Sequence, residues 1–229
     1  MEEKPISRPG LALKVSLRVV LFLPLTGALF FLSAGSLAFW NAWLLLATIF
    51  VLMAVMMTWL LIRDPALLAK RMRTKERRPA QKCFVAFSLV WVLGAFVLPG
   101  LDFRFGWSAL PVWLVLAANG LMCLGFLLFA LVLRSNSFAS RVIEIQEGQR
   151  VIDTGPYSVV RHPMYSSTII IYLAMPLVLG SLPALALSAL FLVALPFRAL
   201  NEEKLLVEQL PGYADYQQRV RWRLIPGIW

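Results

Sequence analysis

The stretch that decides the fold runs from Val19 to Ile62 and reads VVLFLPLTGALFFLSAGSLAFWNAWLLLATIFVLMAVMMTWLLI. It contains no Asp, Glu, Lys, Arg or His. Because a membrane-spanning helix needs about 20 apolar residues, this stretch is long enough for two crossings. Its middle, from Ser33 to Asn41, combines small, polar and aromatic residues, which is typical of a turn at a membrane surface. The stretch predicts an integral membrane protein.

Three further stretches, residues 83–101, 105–133 and 165–197, also lack Asp, Glu, Lys, Arg and His. By the same length rule the first two hold one crossing each, and the third holds two that divide at Gly180-Ser181-Leu182-Pro183. The last two helices are short, so they either cross fully or form a hairpin that turns back within the bilayer. The sequence therefore predicts an all-α bundle with about six crossings.

The composition and the distribution of charge support a membrane protein and not a soluble nucleic-acid-binding domain. Only 15% of the residues are charged, whereas soluble domains average about 25%. The net charge of +10 comes from basic residues in alternate segments: the N-terminal arm, the loop 63–82 and the C-terminal tail. The positive-inside rule then places both termini, this loop and the loop 134–162 in the cytoplasm.

Polar residues that could bind a ligand or take part in a reaction are concentrated at one end of the predicted bundle. Asp153-Thr154-Gly155-Pro156 is a turn sequence, in which Asp can bond its own backbone and Gly tolerates positive φ. The residue before a proline is biased away from helical backbone, so His162 should precede a helix that begins at Pro163. The free N–H groups of such a helix start can receive an anionic group.

His162 is the only histidine in the chain, and two roles for it stay open. A neutral imidazole can orient a ligand or act as a general base near pH 7. The alternative is a histidine that bonds backbone at the helix start. Tyr157 and Tyr165 flank it, and although tyrosines near span ends are commonly interface anchors, their clustering with Arg161 and His162 favours a ligand site.

A second polar group, Arg198 with Glu202 and Glu203, opens an amphipathic helix that leaves the membrane after Pro196. Arginine preceding glutamate by four residues is the less favourable order for a helix-stabilising pair. An arginine that faces an anion, beside a carboxylate that faces a cation, explains the arrangement better. Pro211-Gly212 should break this helix, and residues 213–222 should form a short helical cap over the site.

These motifs together resemble those of the isoprenylcysteine carboxyl methyltransferase family and its phospholipid methyltransferase relatives. The resemblance rests on Gly155-Pro156-Tyr157, Arg161-His162-Pro163-Met164-Tyr165 and Arg198 with Glu202-Glu203. It covers residues 135–229, predicted as the catalytic region, whereas the four spans predicted in residues 1–134 match only in being spans. The family pattern often has glycine where Ser167 stands.

The resemblance implies an S-adenosylmethionine (SAM)-dependent enzyme with its site at the cytoplasmic face. Arg198 would hold the acceptor, a lipophilic or prenylated molecule entering from the bilayer. A carboxylate acceptor needs no general base, whereas an amine or thiol would need one, for which His162 and Glu203 are the candidates. The implied cofactor contacts are Gln149, Arg150, Val151, Ile152, Tyr157, His162, Pro163, Met164, Tyr165 and Glu202.

Several alternatives stay open at the level of sequence. The acceptor can be a prenylcysteine carboxylate, the amine of phosphatidylethanolamine, or a small lipophilic thiol or acid. A transporter is the main alternative of another class, but it predicts ionisable residues near the midplane and a repeat between halves, and the sequence has neither. No metal-ligand cluster is present in the sequence, so we expect no metal.

Overall fold

A computed structural model describes residues 8–72, 79–139 and 145–229 of the chain, with side chains in the second range described from residue 91. All regular structure in these ranges is helical, which confirms the all-α fold class. The α-helices are α1 (Arg8–Ala34), α2 (Trp40–Arg63), α3 (Pro65–Arg71), α4 (Pro79–Phe105), α5 (Val112–Ser135), α6 (Pro163–Val178), α7 (Leu182–Leu192), α8 (Ala194–Gln209) and α9 (Tyr213–Arg219).

The two turns predicted inside the long apolar stretches lie where the sequence placed them. The break between α1 and α2 falls at residues 35–39, within the predicted turn. Between α6 and α7, Gly180 has a φ of +73°, which a glycine adopts without steric cost. The Ser181 hydroxyl then accepts a hydrogen bond from the Ala184 N–H at 3.3 Å and caps α7.

Contacts between distant loops define two ends of the helical bundle. At one end, Arg18 donates to the Met72 carbonyl at 3.2 Å and Arg71 donates to the Ala139 carbonyl at 2.9 Å. The N-terminal half of α1, the end of α3 and the loop after α5 therefore lie together. Residues 73–78 of the predicted basic loop, and the N-terminal Lys4, lie outside the described residues.

The opposite end brings together the remaining described loops. The Asn41 amide donates to the Val178 carbonyl at 2.8 Å, and the Leu182 N–H donates to the Ser108 hydroxyl at 3.1 Å. Consecutive loops thus alternate between the two ends. Which end faces the cytoplasm stays a prediction.

Four helical segments in the described part of the chain are long and apolar enough to cross a membrane. They are α1, α2, α5 and the continuous segment Leu182–Gln209 that α7 and α8 form. Helix α6 is apolar but has only 16 residues. The membrane character is thus supported, while the count of six crossings stays a prediction.

Small residues allow the helices that carry the site to approach closely. At Gly125 of α5, a Cβ atom would lie 2.8 Å from the Ile171 side chain of α6. At Gly100 of α4, a Cβ atom would lie 2.7 Å from the Phe30 carbonyl oxygen of α1. Such close contacts are typical of helices packed within membranes. Helix α5, at the end of the predicted first region, is therefore packed directly against α6 of the second.

The predicted cap is present after α8. Gly212, with a φ of +81°, interrupts the helical structure between α8 and α9. Tyr213, Tyr216 and Val220 share one buried face, as their spacing predicted, and pack with Leu210. Val151, from the loop before the site, packs against the same cluster. The cap therefore lies over the segment that leads into the site.

Candidate functional site

The centre of the site is the carboxylate of Glu203, which is 4% exposed and contacts three basic side chains. His162 Nε2 lies 3.1 Å from Oε1, and because a carboxylate only accepts, this nitrogen carries a proton. Arg161 Nε lies 2.9 Å from the same oxygen as an ion pair, without the alignment of a hydrogen bond. Arg223 Nε donates to Oε2 at 3.0 Å.

The start of α6 orients His162 as its sequence predicted. His162 precedes the helix with φ −124° and ψ 61°, and Pro163 is the first helical residue. Its ring makes no capping hydrogen bond at this helix start. The imidazole instead bonds Glu203 of α8, 41 residues away. The ring therefore does not bond the backbone at the helix start, which was one of the two roles that the sequence left open.

Tyr165 links two predicted site residues near the start of α8, Arg198 and Glu202. Its hydroxyl accepts a hydrogen bond from Arg198 Nε at 3.0 Å and donates one to Glu202 Oε2 at 2.6 Å. Its ring stacks on that of His162, with centroids 5.5 Å apart. Because one hydroxyl serves both partners, the guanidinium and the carboxylate are held at fixed positions on either side of it.

Tyr157 is held between the bundle and the cap. Its hydroxyl accepts a hydrogen bond from the Asn136 amide at 2.9 Å, and its carbonyl accepts one from the Tyr216 hydroxyl at 2.7 Å. Burial raises the pKa of the Tyr157 phenol to about 12, and the bond from Asn136 offsets part of that effect. Burial also raises the pKa of Tyr213, as do the nearby charges of Glu203 and Glu202. Both phenols therefore stay protonated and neutral at physiological pH.

The four predicted cofactor contacts before the turn differ in their surroundings. Gln149 closes a tight turn on Gln146, because its N–H donates to the Gln146 carbonyl and its side-chain oxygen accepts from the Gln146 N–H. Val151 packs on the cap. Arg150 is exposed and Ile152 is half-buried. Val151 therefore joins this segment to the cap.

Three other residues named from the sequence, Met164, Ser167 and Asp153, contact other parts of the structure. Met164 packs towards the opposite side, against the apolar cluster that contains Leu133, with its sulfur 3.9 Å from Arg71 Nη1. Ser167, at the position where the family pattern often has glycine, is fully buried and its hydroxyl donates to the Met164 carbonyl at 2.7 Å. The turn residue Asp153 forms an ion pair at 2.9 Å with Arg219, a partner that the sequence did not predict.

Sequence reasoning gave no role to two residues that the structure places at the centre. Arg161 was noted only as a neighbour of His162, and its adjacency in the sequence is the signal that points to it. Arg223 was assigned to the charge pattern of the tail. Its contact with Glu203 depends on how the tail folds back, and the local sequence carries no signal for that.

The length of the helical segment Leu182–Gln209 can be compared with the thickness of a bilayer. Glu202 lies twenty residues after Leu182, where this segment begins. At 1.5 Å per residue this is about 30 Å, which equals the thickness of the hydrocarbon layer of a bilayer. This length predicts that Glu202 lies near the opposite membrane surface if the segment enters the bilayer at Leu182, with Arg198 one turn before it.

The described side chains fit the chemistry of SAM, which carries two cationic groups and several polar ones. Glu202 is half-buried, and its partner among the described residues is the neutral Tyr165 hydroxyl. The buried Tyr213 Oη, close enough to feel the charges of Glu202 and Glu203, has no hydrogen-bond partner in the described part of the chain. A carboxylate near an unsatisfied polar atom suits a polar cationic ligand, because buried polar groups are normally paired.

Comparison with known families identifies the region that contains this site. Residues 113–211 match the phospholipid methyltransferase family. The match begins in α5, ends just after α8 and includes every predicted site residue, and it confirms the resemblance found in the motifs. Together with the apolar helices it supports a membrane methyltransferase. No curated protein matches the chain.

Proposed function

We propose that this protein is a SAM-dependent methyltransferase of the isoprenylcysteine carboxyl methyltransferase type, acting on a lipophilic carboxylate that enters from the bilayer. The observation that carries the proposal is the link Arg198–Tyr165–Glu202, in which one hydroxyl bridges a guanidinium and a carboxylate. The carboxylate suits a cationic cofactor and the guanidinium suits an anionic acceptor. Two reactants of opposite charge are thereby brought side by side at the membrane surface.

The residues around Glu202 would hold the cofactor. When bound, SAM supplies an electrophilic methyl group, which the acceptor oxygen takes by in-line displacement while the electron pair of the methyl–sulfur bond stays on sulfur. Glu202 would offset the positive charge of the cofactor, and Tyr157, Tyr165 and His162 would give its adenosine aromatic and apolar cover. Gln149, Arg150, Val151 and Ile152, with Pro163 and Met164, complete the proposed contacts. Positioning and exclusion of water are then the main contributions to the rate.

The hydrogen bonds and ion pairs of the two candidate bases, His162 and Glu203, favour an acceptor that needs no base, such as a carboxylate. Both oxygens of Glu203 face arginines, and Oε1 also accepts a hydrogen bond from His162 Nε2. A carboxylate held in this way is a poor proton acceptor. Methylation of a carboxylate requires no proton removal, and the planar fork of Arg198 suits a carboxylate geometrically.

The family match favours a second candidate, the amine of a phospholipid headgroup. An amine acceptor must lose a proton during methylation, so this reaction needs a base. With His162 Nε2 held by Glu203, the Nδ1 atom is the ring position left to accept that proton. This candidate therefore predicts that His162→Gln abolishes turnover, whereas the carboxylate reaction predicts a partial loss from weaker cofactor binding.

Transfer from methyl-deuterated SAM tests the proposal and separates the two acceptors. The protein in lipid nanodiscs is given N-acetyl-S-farnesylcysteine or phosphatidylethanolamine, and the products are identified by mass spectrometry. We expect labelled methyl ester from the first and no labelled amine from the second. Labelled phosphatidylethanolamine alone would support the second candidate, and labelling of neither would contradict the assigned acceptor class.

Arg198 variants provide a matched control for the acceptor site. Arg198→Lys keeps the charge but loses the planar fork, so we expect reduced turnover with unchanged affinity for SAM. Arg198→Ala should lose more. A rise in KM alone would assign Arg198 to binding, whereas a fall in kcat would assign it to alignment of the acceptor. Loss of SAM affinity as the whole defect would assign Arg198 to the cofactor and contradict this role.

A further inference from the structure

The segment that follows α9 is bonded to the start of α6 at three points. The Arg161 N–H donates to the Trp222 carbonyl and the His162 N–H donates to the Arg223 carbonyl, both at 2.9 Å. The Ser166 hydroxyl donates to the Leu224 carbonyl. Residues 222–224, called the tail segment below, therefore run alongside the residues that precede and open α6.

Arg223 contacts both ends of the His162–Glu203 pair. Its carbonyl oxygen accepts the hydrogen bond from the His162 backbone, and its guanidinium donates to Glu203 Oε2. The guanidinium also lies over the Trp229 ring, 4.9 Å from the centroid, which restricts its orientation. The side chain is 30% exposed, so the ion pair is only partly open to water.

The two oxygens of Glu203 have unequal support. Oε1 contacts both Arg161 and His162, whereas the partner of Oε2 within the described residues is Arg223. Loss of the Arg223 side chain would leave Oε2 of a buried carboxylate without that partner. The carboxylate could then rotate to share both oxygens with Arg161, and the hydrogen bond that orients the His162 ring would be weakened.

We propose that Arg223 is a positioning residue of the methyl-transfer site, acting through Glu203 on His162, and that the tail segment is part of that site. The inference rests on the proposed function, because His162 and the stacked Tyr165 are there assigned to the cofactor. It extends the site beyond residue 211, where the family match ends. It also gives a role to the second of the two adjacent glutamates, which holds the site together instead of contacting the cofactor.

The affinity for SAM, measured by calorimetry on purified protein in detergent, tests the proposal without any acceptor. Arg223→Gln removes the charge but keeps a polar side chain, and we expect SAM affinity to fall about tenfold, within the range of coupling found in one hydrogen-bond network. Arg223→Lys keeps the charge and should recover most of that loss. Arg221→Gln is the matched control, because Arg221 is an exposed arginine of the same tail and its replacement should leave affinity unchanged.

A double-mutant cycle separates positioning through Glu203 from a general structural role. In a Glu203→Gln background, Arg223→Gln should cause little further loss of SAM affinity, because the route of its action is already gone. Additive losses, or equal losses for the Arg221 and Arg223 variants, would overturn the inference. If Arg223→Gln does not fold, Arg223→Lys takes its place in the cycle. The residual loss of SAM affinity, expected because an ammonium cannot reproduce the planar fork of the guanidinium, should disappear in the Glu203→Gln background, and an unchanged residual loss would overturn the inference. Absence of SAM binding in the wild-type protein would instead overturn the proposed function.

Discussion

Replacement of Glu203 by glutamine gives the largest predicted effect on stability. The carboxylate is 4% exposed and pairs with Arg161, which is 7% exposed, and with Arg223. Breaking a buried ion pair by removing one partner costs about 3–5 kcal/mol, because the other charge is left uncompensated. Since Arg223 is 30% exposed and retains water, we expect the lower end, about 3 kcal/mol.

Thermal unfolding in detergent measures this effect. For a chain of this length 1 kcal/mol corresponds to about 2–4 °C, so Glu203→Gln should lower the midpoint by about 6–12 °C. Glu202→Gln is the control on the same helix, because an amide oxygen can still accept the Tyr165 hydrogen bond, and it should cost less than about 1 kcal/mol. Equal midpoints for the two variants would refute the assignment of Glu203 as the buried centre of the charge cluster.

Three further predictions concern the bridge, the cap and the arrangement of loops. Tyr165→Phe removes the hydroxyl between Arg198 and Glu202, and methyl transfer to N-acetyl-S-farnesylcysteine should fall at least tenfold, about 1.4 kcal/mol in the barrier, with a smaller fall in thermal midpoint than Glu203→Gln. Tyr216→Phe loses the bond to the Tyr157 carbonyl, costs about 1 kcal/mol, and should speed amide exchange in α9. Single cysteines at Gln149 and Trp107, at opposite ends of the bundle, should react with an impermeant thiol reagent from opposite sides of the membrane. Labelling of both from one side would contradict the alternation of consecutive loops between the two ends.

Local features of the sequence are sufficient to predict most of the fold. The apolar stretches bounded by charges predicted the helices, because the required length of a span is set by the bilayer. Pro163, Gly180 and Gly212 marked the start of α6, the turn before α7 and the break before α9, where the structure has them. Each of these signals acts through the backbone of its own few residues, so no tertiary information is needed.

The different contacts of Glu202 and Glu203 could not be predicted from sequence. Successive residues of an α-helix point about 100° apart, since the helix has 3.6 residues per turn. The two carboxylates therefore reach different neighbours, and Glu202 bonds Tyr165 while Glu203 joins Arg161, His162 and Arg223. Which one faces the cluster depends on the rotation of α8 against α6, and that is set by packing along the whole bundle.

Pairings between distant segments were missed for the same reason. Arg223 and Arg219 belong to a tail whose basic residues the sequence explains by topology alone, yet they pair with Glu203 and Asp153. Neither pair has a characteristic spacing, because each joins segments that only the tertiary fold brings together. The motifs therefore predicted a candidate site, and the structure was needed to show which of its residues contact one another.

Binding of SAM to the purified wild-type protein tests the central claim most directly. Calorimetry in detergent should show binding of both SAM and its demethylated product, S-adenosylhomocysteine. Glu202→Gln should weaken both, because it removes the carboxylate proposed to face the cofactor, while leaving the Glu203 cluster and the thermal midpoint nearly unchanged. Absence of binding of either compound to the folded wild-type protein would contradict the account.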